Sequence, residues 1–214
     1  KHFSFDSYNS LVQRYTTELD YGTGDFYYMV WINTTMNAVG NLEGLISRQT
    51  DGQSSGNRIQ IQADNNRNVY LYCNGYNGDT TANLSKGGWT HLAFIRRGEM
   101  GYVYEDGRLR KYFDDAASYT NANANLRIGG LSLGSGIEDN SYSADQTKFA
   151  LFKTGGIAPS EQELRKIVME ERKFFGTNVK CTLHGDSDYQ IPAVACDTAS
   201  DTVHVGTGSG RSEF

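Results

Sequence analysis

Several residue types and patterns are scarce in this sequence, and each scarcity removes a class of protein. Only two prolines and three cysteines occur among 214 residues, so neither a proline-rich linker nor a disulfide scaffold fits. No apolar run approaches the ~20 residues that a membrane-spanning helix needs, and we expect no membrane insertion. The formal net charge is −5 and the chain has no basic run, which disfavours a nucleic-acid partner.

What the sequence does contain is short apolar runs separated by clusters of Gly, Asn, Asp and Ser. The run FYYMVWI at residues 26–32 carries aromatic or aliphatic side chains on both of its alternating faces, so it predicts a strand buried on both sides. Further strand-like runs follow at 42–47, 58–63, 69–73, 89–95, 102–105, 109–113, 126–128 and 149–152. Short strands at regular spacing with turn signals between them are typical of a β-sandwich or barrel.

The clearest hairpin lies at Asp106-Gly107, between VYE and RLRKY. Asp-Gly tolerates the positive φ values of a type I′ turn, whose twist matches that of the flanking strands. The sequence therefore predicts two antiparallel strands joined by a two-residue turn at this point.

A helical period appears only after residue 158. Ser160 and Glu163 have the spacing of a capping box, in which each side chain bonds the backbone N–H of the other residue. We expect a helix over 161–175 that packs its apolar stripe on the sandwich and ends at Gly176 in the left-handed conformation. Residues 176–214 contain three short strand candidates, which make a poor core of their own. We therefore expect this stretch to be a short β-rich segment.

A family resemblance is carried by four stretches of the chain. Leu19–Thr35 contains a Gly-Thr-Gly-Asp turn leading into the first long strand, and WTHLAF at 89–94, YVYEDG at 102–107 and LRIGG at 126–130 follow in order. These stretches resemble laminin-G-like domains of the concanavalin A-like type. The resemblance covers about residues 1–175 and implies an all-β fold, an antiparallel two-sheet jelly-roll sandwich with one C-terminal helix.

The C-terminal stretch has a shorter resemblance, through KCTLHGDSD, AVACD and TVHVGTGSGRS. It looks like a segment that follows such domains in tail structural proteins of bacteriophages. The two resemblances together imply a binding module of a virion appendage, of tail-fibre or receptor-binding type, with a virion or extracellular location. Its partner would be a host surface glycan or another virion protein, and a homotrimer is the oligomeric state typical of fibrous appendages. A purely structural or assembly domain is the alternative.

Catalysis is an alternative to binding, because some sandwiches of this class hydrolyse glycans with a pair of carboxylates. Resembling hydrolases carry Glu-x-Asp-x-x-Glu, and the nearest approach here is Glu18-Leu19-Asp20, with Thr23 in place of the second glutamate. We therefore expect a protein that is not an enzyme. A glycan hydrolase with an atypical carboxylate pair is the remaining alternative.

No cofactor is expected, and calcium is the one metal that the resemblance brings into consideration. Its candidate ligands are Glu138, Asp139 and Asn140, with two further oxygen clusters at 64–66 and 186–188. None of the three has the spacing of a calcium-loop motif, and Asp and Asn also favour turns by bonding their own backbone.

Tyrosines are the candidate ligand contacts. Tyr72 and Tyr76 lie in one concentration of tyrosines, and Tyr102 and Tyr104 lie in another. Tyrosine combines a flat apolar ring with a polar tip, so on an open sheet face it can stack on a sugar or anchor a protein. The alternative is that these rings fill the core and rim of the sandwich. Tyr76, inside the Asn-Gly-Tyr-Asn-Gly turn, is the expected exposed contact.

Overall fold

The fold is seen in a computed structural model in which seventeen strands and one α-helix are assigned within the described residues. Those residues are 2–5, 9–36, 42–49, 58–122, 124–132, 138–139, 144–176, 193–197, 202–207 and 210–213. The chain divides into two compact units, Lys1–Glu170 and Glu171–Phe214. The domain boundary expected at 175/176 stays a prediction.

In chain order the strands are β1 (Phe3–Ser4), β2 (Leu11–Gln13), β3 (Phe26–Thr34), β4 (Glu43–Arg48), β5 (Ile59–Ala63), β6 (Asn68–Cys73), β7 (Asn77–Asn83), β8 (Trp89–Arg97), β9 (Met100–Glu105), β10 (Arg108–Asp114), β11 (Leu126–Ile128), β12 (Leu131–Ser132), β13 (Glu138–Asp139), β14 (Thr147–Gly155), β15 (Ala193–Asp197), β16 (Thr202–Thr207) and β17 (Gly210–Glu213).

Two six-stranded antiparallel sheets form the sandwich. Sheet 1 has the order β1-β14-β3-β8-β9-β10, and sheet 2 has the order β2-β11-β4-β5-β6-β7. β12 and β13 form a two-stranded ribbon, and β15, β16 and β17 form a three-stranded antiparallel sheet in the second unit. The predicted fold class, an all-β antiparallel sandwich with one helix near the C-terminus, is confirmed.

The core lies between the two sheets and follows from alternation along the strands. On β3, Phe26, Tyr28, Val30 and Ile32 belong to the central hydrophobic cluster, together with inner residues of sheet 2. Trp31 lies on the other face of β3 and is also buried. The prediction that this strand is buried on both sides is confirmed.

The predicted Asp-Gly hairpin joins β9 to β10. Asp106 and Gly107 have φ values of 51° and 76°, and Arg108 pairs with Glu105 across the turn. Positive φ at both central residues is the mark of a type I′ turn.

The single α-helix of the described residues, α1, spans Glu161–Arg172, and a 3-10 turn at Lys173–Phe175 follows it. The capping box is confirmed: the Glu163 N–H donates to Ser160 Oγ at 3.2 Å, and the Ser160 N–H donates to Glu163 Oε2 at 2.8 Å. The expected left-handed stop is wrong, because Gly176 is extended at φ −62° and ψ 144°. The tighter 3-10 turn ends the helix without a left-handed residue. Among the described residues, α1 is too short and too polar to cross a bilayer.

Leu164 and Val168 of α1 are buried in the first unit. A Cβ on Gly107 would lie 3.5 Å from Cα of Arg165 and 3.7 Å from Cγ2 of Val168, so the helix lies against the β9–β10 hairpin. This packing covers part of the outer face of sheet 1, the face that points away from the core.

Candidate functional site

The outer face of sheet 2 carries a set of polar and aromatic side chains in cross-strand register. Gln60 pairs with Tyr72, which pairs with Asn77, and one step along the strands Gln62 pairs with Tyr70, which pairs with Asp79. We call Gln60, Gln62, Tyr70, Tyr72 and Asn77 the amide–tyrosine face. Directly opposed residues have Cβ atoms about 5 Å apart, so these amides and phenols are neighbours on one face of the sheet. Gln60 and Gln62 are buried, with 9% and 4% of their surface exposed.

Alternation on β6 explains why the tyrosines point away from the core. Val69, Leu71 and Cys73 belong to the central cluster, which leaves Tyr70 and Tyr72 on the opposite face of the strand. Both tyrosines are half-buried, whereas Asn77 at the edge of the sheet is exposed.

Hydrogen bonds and ring contacts hold the amide–tyrosine face in place. Gln60 Nε2 donates to Gln62 Oε1 at 2.8 Å. The Arg58 guanidinium lies 5.4 Å from the Tyr72 ring centroid and donates to Asn77 Oδ1 at 2.9 Å. This cation–π contact orients the ring, and the planar polar groups around it present fixed donors and acceptors.

The phenol of Tyr70 remains a hydrogen-bond donor at neutral pH. Burial, followed by the negative charges of Asp64 and Asp79, raises its pKa above the ordinary value of 10.0. Its hydroxyl donates to Asp64 Oδ2 at 3.4 Å.

The outer face of sheet 2 is covered at β4. A Cβ on Gly44 would lie 2.6 Å from Cγ of Leu131, so only glycine allows β12 to cross at this point. Next to β4, Arg127 of β11 is buried and donates to Ser10 Oγ at 3.3 Å. The accessible part of the face therefore lies over β6 and β7.

Tyr76, expected as an exposed contact, is half-buried at the rim of the core. Its ring stacks on Phe113 with the centroids 4.8 Å apart, and Lys111 Nζ lies 5.1 Å from the ring centroid. Its hydroxyl donates to the Asp79 carbonyl. The structure thus gives Tyr76 a packing role in the β6–β7 turn, and its role as a ligand contact stays a prediction.

Tyr102 and Tyr104 lie on the outer face of sheet 1, since their partners on β8 are Ile95 and Ala93. Tyr104 is buried, with 1% of its surface exposed, and its hydroxyl accepts a bond from Arg97 at 2.9 Å. The structure therefore does not bring these two rings together with Tyr72, and the four candidate tyrosines belong to at least two separate surfaces.

Only some of the calcium candidates lie among the described residues. Glu138 and Asp139 form β13, and Asn140 lies outside the described residues, as does the 186–188 cluster. Asp64 accepts the backbone N–H groups of Asn66 and Asn68 at 2.9 and 2.8 Å, the geometry of an Asx turn. In the part of the chain that the structure describes, no three His, Cys, Asp or Glu side chains are grouped as metal ligands. Calcium binding stays a prediction.

The carboxylates nearest to a hydrolase motif are engaged in structure. Asp20 accepts bonds from Arg48 at 2.5 Å, from the Tyr15 hydroxyl at 2.7 Å and from the Asn121 N–H at 2.8 Å. Burial pushes the pKa of Asp20 upward, but these three donors outweigh it and hold the pKa below the ordinary value. The Thr16 hydroxyl lowers the pKa of Glu18. Both groups are ionised at neutral pH, so neither can serve as a general acid.

Glu43 is a titratable residue that the sequence analysis missed. Its carboxylate accepts the Thr147 hydroxyl at 2.5 Å and the Gln146 N–H at 3.3 Å, so it links β4 of sheet 2 to β14 of sheet 1. Burial raises its pKa to about 7. The only signal in the sequence is a glutamate at the start of a short strand, directly before Gly-Leu-Ile, and its partner lies 104 positions away.

Solved structures with the same fold include a sialidase, a pentraxin and a CBM40 module. A Trypanosoma rangeli sialidase matches with a TM-score of 0.57 at 15% identity, over 83% of this chain and 28% of the sialidase. A pentraxin from Limulus polyphemus matches with a TM-score of 0.57 at 14% identity, over 77% of this chain and 80% of that one. The CBM40 module of the Ruminococcus gnavus IT-sialidase matches with a TM-score of 0.57 at 12% identity, over 78% of this chain and 96% of the module.

These identities establish a shared fold, and the chain spans little more than a quarter of the sialidase's length. No curated protein matches the sequence. The profile of the concanavalin A-like lectin/glucanases superfamily matches residues 6–154, which is more than half of the chain and includes the sandwich strands from β2 to β14 except for the last residue of β14. The chain belongs to the concanavalin A-like lectin/glucanases superfamily.

Proposed function

We propose that this chain is a non-enzymatic carbohydrate-binding module and that a glycan lies on the amide–tyrosine face of sheet 2. The observation that carries the proposal is the register of Tyr72 with Asn77 on β6 and β7, both held by Arg58, with the buried amide of Gln60 next to Tyr72 on β5. Sugars present hydroxyl groups around an apolar ring face, so their recognition needs fixed bidentate donors and acceptors beside a flat aromatic surface.

The physical chemistry of this face favours a glycan over a protein partner. Amides and phenols dominate it, whereas protein interfaces bury an apolar centre. Arg58 holds the Tyr72 ring from one side, and pre-orientation lowers the entropy lost on binding.

The fold comparison gives independent support. The CBM40 module of the Ruminococcus gnavus IT-sialidase has been solved with α2,3-sialyllactose bound, and that structure matches 78% of this chain with a TM-score of 0.55. A fold that serves as a dedicated sugar-binding module in one protein is a suitable scaffold for the same task here, while the ligand itself must be found by experiment.

The test is a glycan array probed with the whole 214-residue chain, followed by calorimetric titration with the best ligand. Tyr72→Ala should weaken binding roughly tenfold, which corresponds to about 1.4 kcal/mol. Arg108→Ala, an exposed change on sheet 1, is the matched control and should bind like the unaltered chain. No binding to any glycan on the array, or equal binding by Tyr72→Ala, would refute the proposal.

A hydrolase is the second candidate, and Glu43 is the observation that favours it. A carboxyl group with a pKa of about 7 has the protonation behaviour of a general acid. Against this role, Glu43 is 3% exposed and both of its oxygens already accept hydrogen bonds. Release of reducing ends from a bound polysaccharide, abolished by Glu43→Gln, would establish the enzymatic alternative.

The setting of the module is a further part of the proposal. We place it in a virion appendage of bacteriophage tail-fibre type on the two sequence resemblances together, and calcium is the one metal proposed for it. A host surface glycan is then the partner, and a homotrimer is the expected assembly. Light scattering of the whole chain tests the trimer, and calcium titration with a stability readout tests the metal.

A purely structural role in virion assembly is the alternative within that setting. It places the interface in residues 177–214. Deleting those residues and measuring oligomeric state together with virion incorporation separates the two roles, because an assembly domain loses both properties while a glycan-binding module retains its ligand.

A further inference from the structure

The outer face of sheet 1 carries exposed aromatic and aliphatic side chains at its β9–β10 edge. Over the central strands, Met29, Trp31 and Ile95 are each at most 1% exposed. On the edge strand β10, Leu109 is 42% exposed and Tyr112 is 65% exposed. These two side chains lie on the same outer face as Tyr104 and Tyr102, their cross-strand partners.

Tyr112 and Tyr102 therefore form an aromatic step beside the covered part of the sheet. They are directly opposed in the β9–β10 ladder, which brings their Cβ atoms to about 5 Å. The Arg97 guanidinium lies 4.8 Å from the Tyr102 ring centroid and also donates to the Tyr104 hydroxyl at 2.9 Å. Arg97 thus anchors Tyr102 to the buried ring behind it, while Tyr112 keeps most of its surface in solvent.

The size and surroundings of this step exclude a protein-sized partner. A stable protein interface buries about 800 Å² on each side, whereas the exposed apolar surface here consists of two side chains. Arg108, Arg110 and Asp114 on the same strand are exposed, and charged residues are depleted at the centres of protein interfaces. A ligand that fits two adjacent rings is one or two sugar units long.

Addition of a peptide strand along this edge is also disfavoured. The ladder has an irregularity between Leu109 and Lys111, and the Thr81 hydroxyl of β7 donates to the Arg110 carbonyl at 3.0 Å. A bulge and an occupied carbonyl are features that block pairing at a sheet edge.

We infer that Tyr112 and Tyr102 form a second carbohydrate-contact site, on the layer opposite the amide–tyrosine face, that takes a pyranose ring by stacking. The ring of Tyr112 supplies the stacking surface, and Arg97 supplies both the anchor of Tyr102 and a fixed positive charge at its side. This site stands on its own geometry and does not require that sheet 2 binds a glycan.

Residue-resolved NMR of the whole chain labelled with 3-fluorotyrosine tests the inference, with signals assigned by single Tyr→Phe changes. The probes are lactose, α2,3-sialyllactose, maltohexaose, cellohexaose and chitohexaose. The expected result is a saturable shift of the Tyr112 and Tyr102 signals with at least one probe. Tyr112→Ala should weaken that response at Tyr102 roughly tenfold, the size of effect expected when one aromatic contact is lost.

Two comparisons make the outcome decisive. Tyr112→Phe retains the ring and should keep most of the affinity, whereas Arg108→Ala, on the same strand, should leave the response unchanged. Absence of a Tyr112 shift with every probe, or a shift that depends on protein concentration alone, overturns the inference. Movement of Tyr112 without movement of Tyr70 and Tyr72 supports this site independently of the one on sheet 2.

Discussion

The two outer faces of the sandwich differ in composition although the same alternation produces both. On sheet 1 the outward positions of the central strands hold Met29, Trp31 and Ala93, and all three are buried. On sheet 2 the outward positions of β5 and β6 hold Gln60, Gln62 and two tyrosines. The outward side chains over the centre of sheet 1 are apolar and buried, whereas those of sheet 2 are polar, and of these Tyr70, Tyr72 and Asn77 reach the surface.

This difference indicates which face has spare binding capacity. An apolar outer face gains free energy when it is covered, at roughly 25 cal/mol per Å² removed from water. A face of amides and phenols gains little from such cover, because its polar groups would need new hydrogen-bond partners. A ligand that supplies those partners therefore fits the accessible part of sheet 2, over Tyr70, Tyr72 and Asn77.

The largest expected effect comes from removing the cover of sheet 1. Leu164 is 0% exposed on α1, so Leu164→Ala should lower the free energy of unfolding by about 2–5 kcal/mol through lost burial and the resulting cavity. Urea denaturation measures the change. Met169→Ala, at a position 75% exposed on the same helix, is the control and should stay within about 0.5 kcal/mol. Equal effects of the two changes would show that α1 does not bury the outer face.

A second, somewhat smaller effect should appear where the two sheets are linked, at Glu43. Its pKa is about 7 in the folded protein against an ordinary 4.5, so the folded state binds a proton that the unfolded state has lost. Stability from this group is fully present below pH 4.5 and declines as pH rises through about 7. At about 1.4 kcal/mol per pH unit of pKa difference, the decline amounts to roughly 3 kcal/mol.

Glu43→Gln should remove this pH dependence. An amide stays neutral, and Thr147 can accept from its N–H as well as donate to its oxygen, so the variant should be more stable than the unaltered chain at pH 8 and similar at pH 4. Denaturation midpoints between pH 4 and pH 8 measure the difference, with the exposed Glu99→Gln as the control. A pH profile that is identical in all three proteins would contradict the assigned state of Glu43.

Local patterns allowed much of the fold to be predicted. The doubly buried β3, the type I′ turn at Asp106-Gly107 and the Ser160–Glu163 capping box depend on residues within a few positions of one another, and all three are confirmed. β7 was missed because Asn77–Asn83 is almost wholly polar, with only Thr80 and Ala82 buried. A strand that contributes two small side chains to the core carries almost no apolar alternation.

The candidate site could be predicted only in part, because its properties depend on distant residues. Alternation places Tyr102 and Tyr104 on one face of β9, but burial of Tyr104 beside α1 depends on residues more than 50 positions later. Tyr76 packs on Phe113, 37 positions away, and a local turn motif does not predict this contact. Tyrosine content indicated the kind of surface, whereas the tertiary packing decided which rings remain accessible.

The smallest effect on stability, and the sharpest test of the difference between the two faces, is expected at Asn77. Its side chain is exposed and accepts a bond from Arg58 at 2.9 Å, so Asn77→Ala should change the free energy of unfolding by less than about 0.5 kcal/mol. The same change should weaken glycan binding several-fold, because it removes an oriented amide from the amide–tyrosine face. Asn66→Ala, an exposed amide outside the registered rows, should leave binding unchanged. If both variants bind equally well, Asn77 lies outside the binding surface, and the ligand must be sought over Tyr70 and Tyr72 of β6.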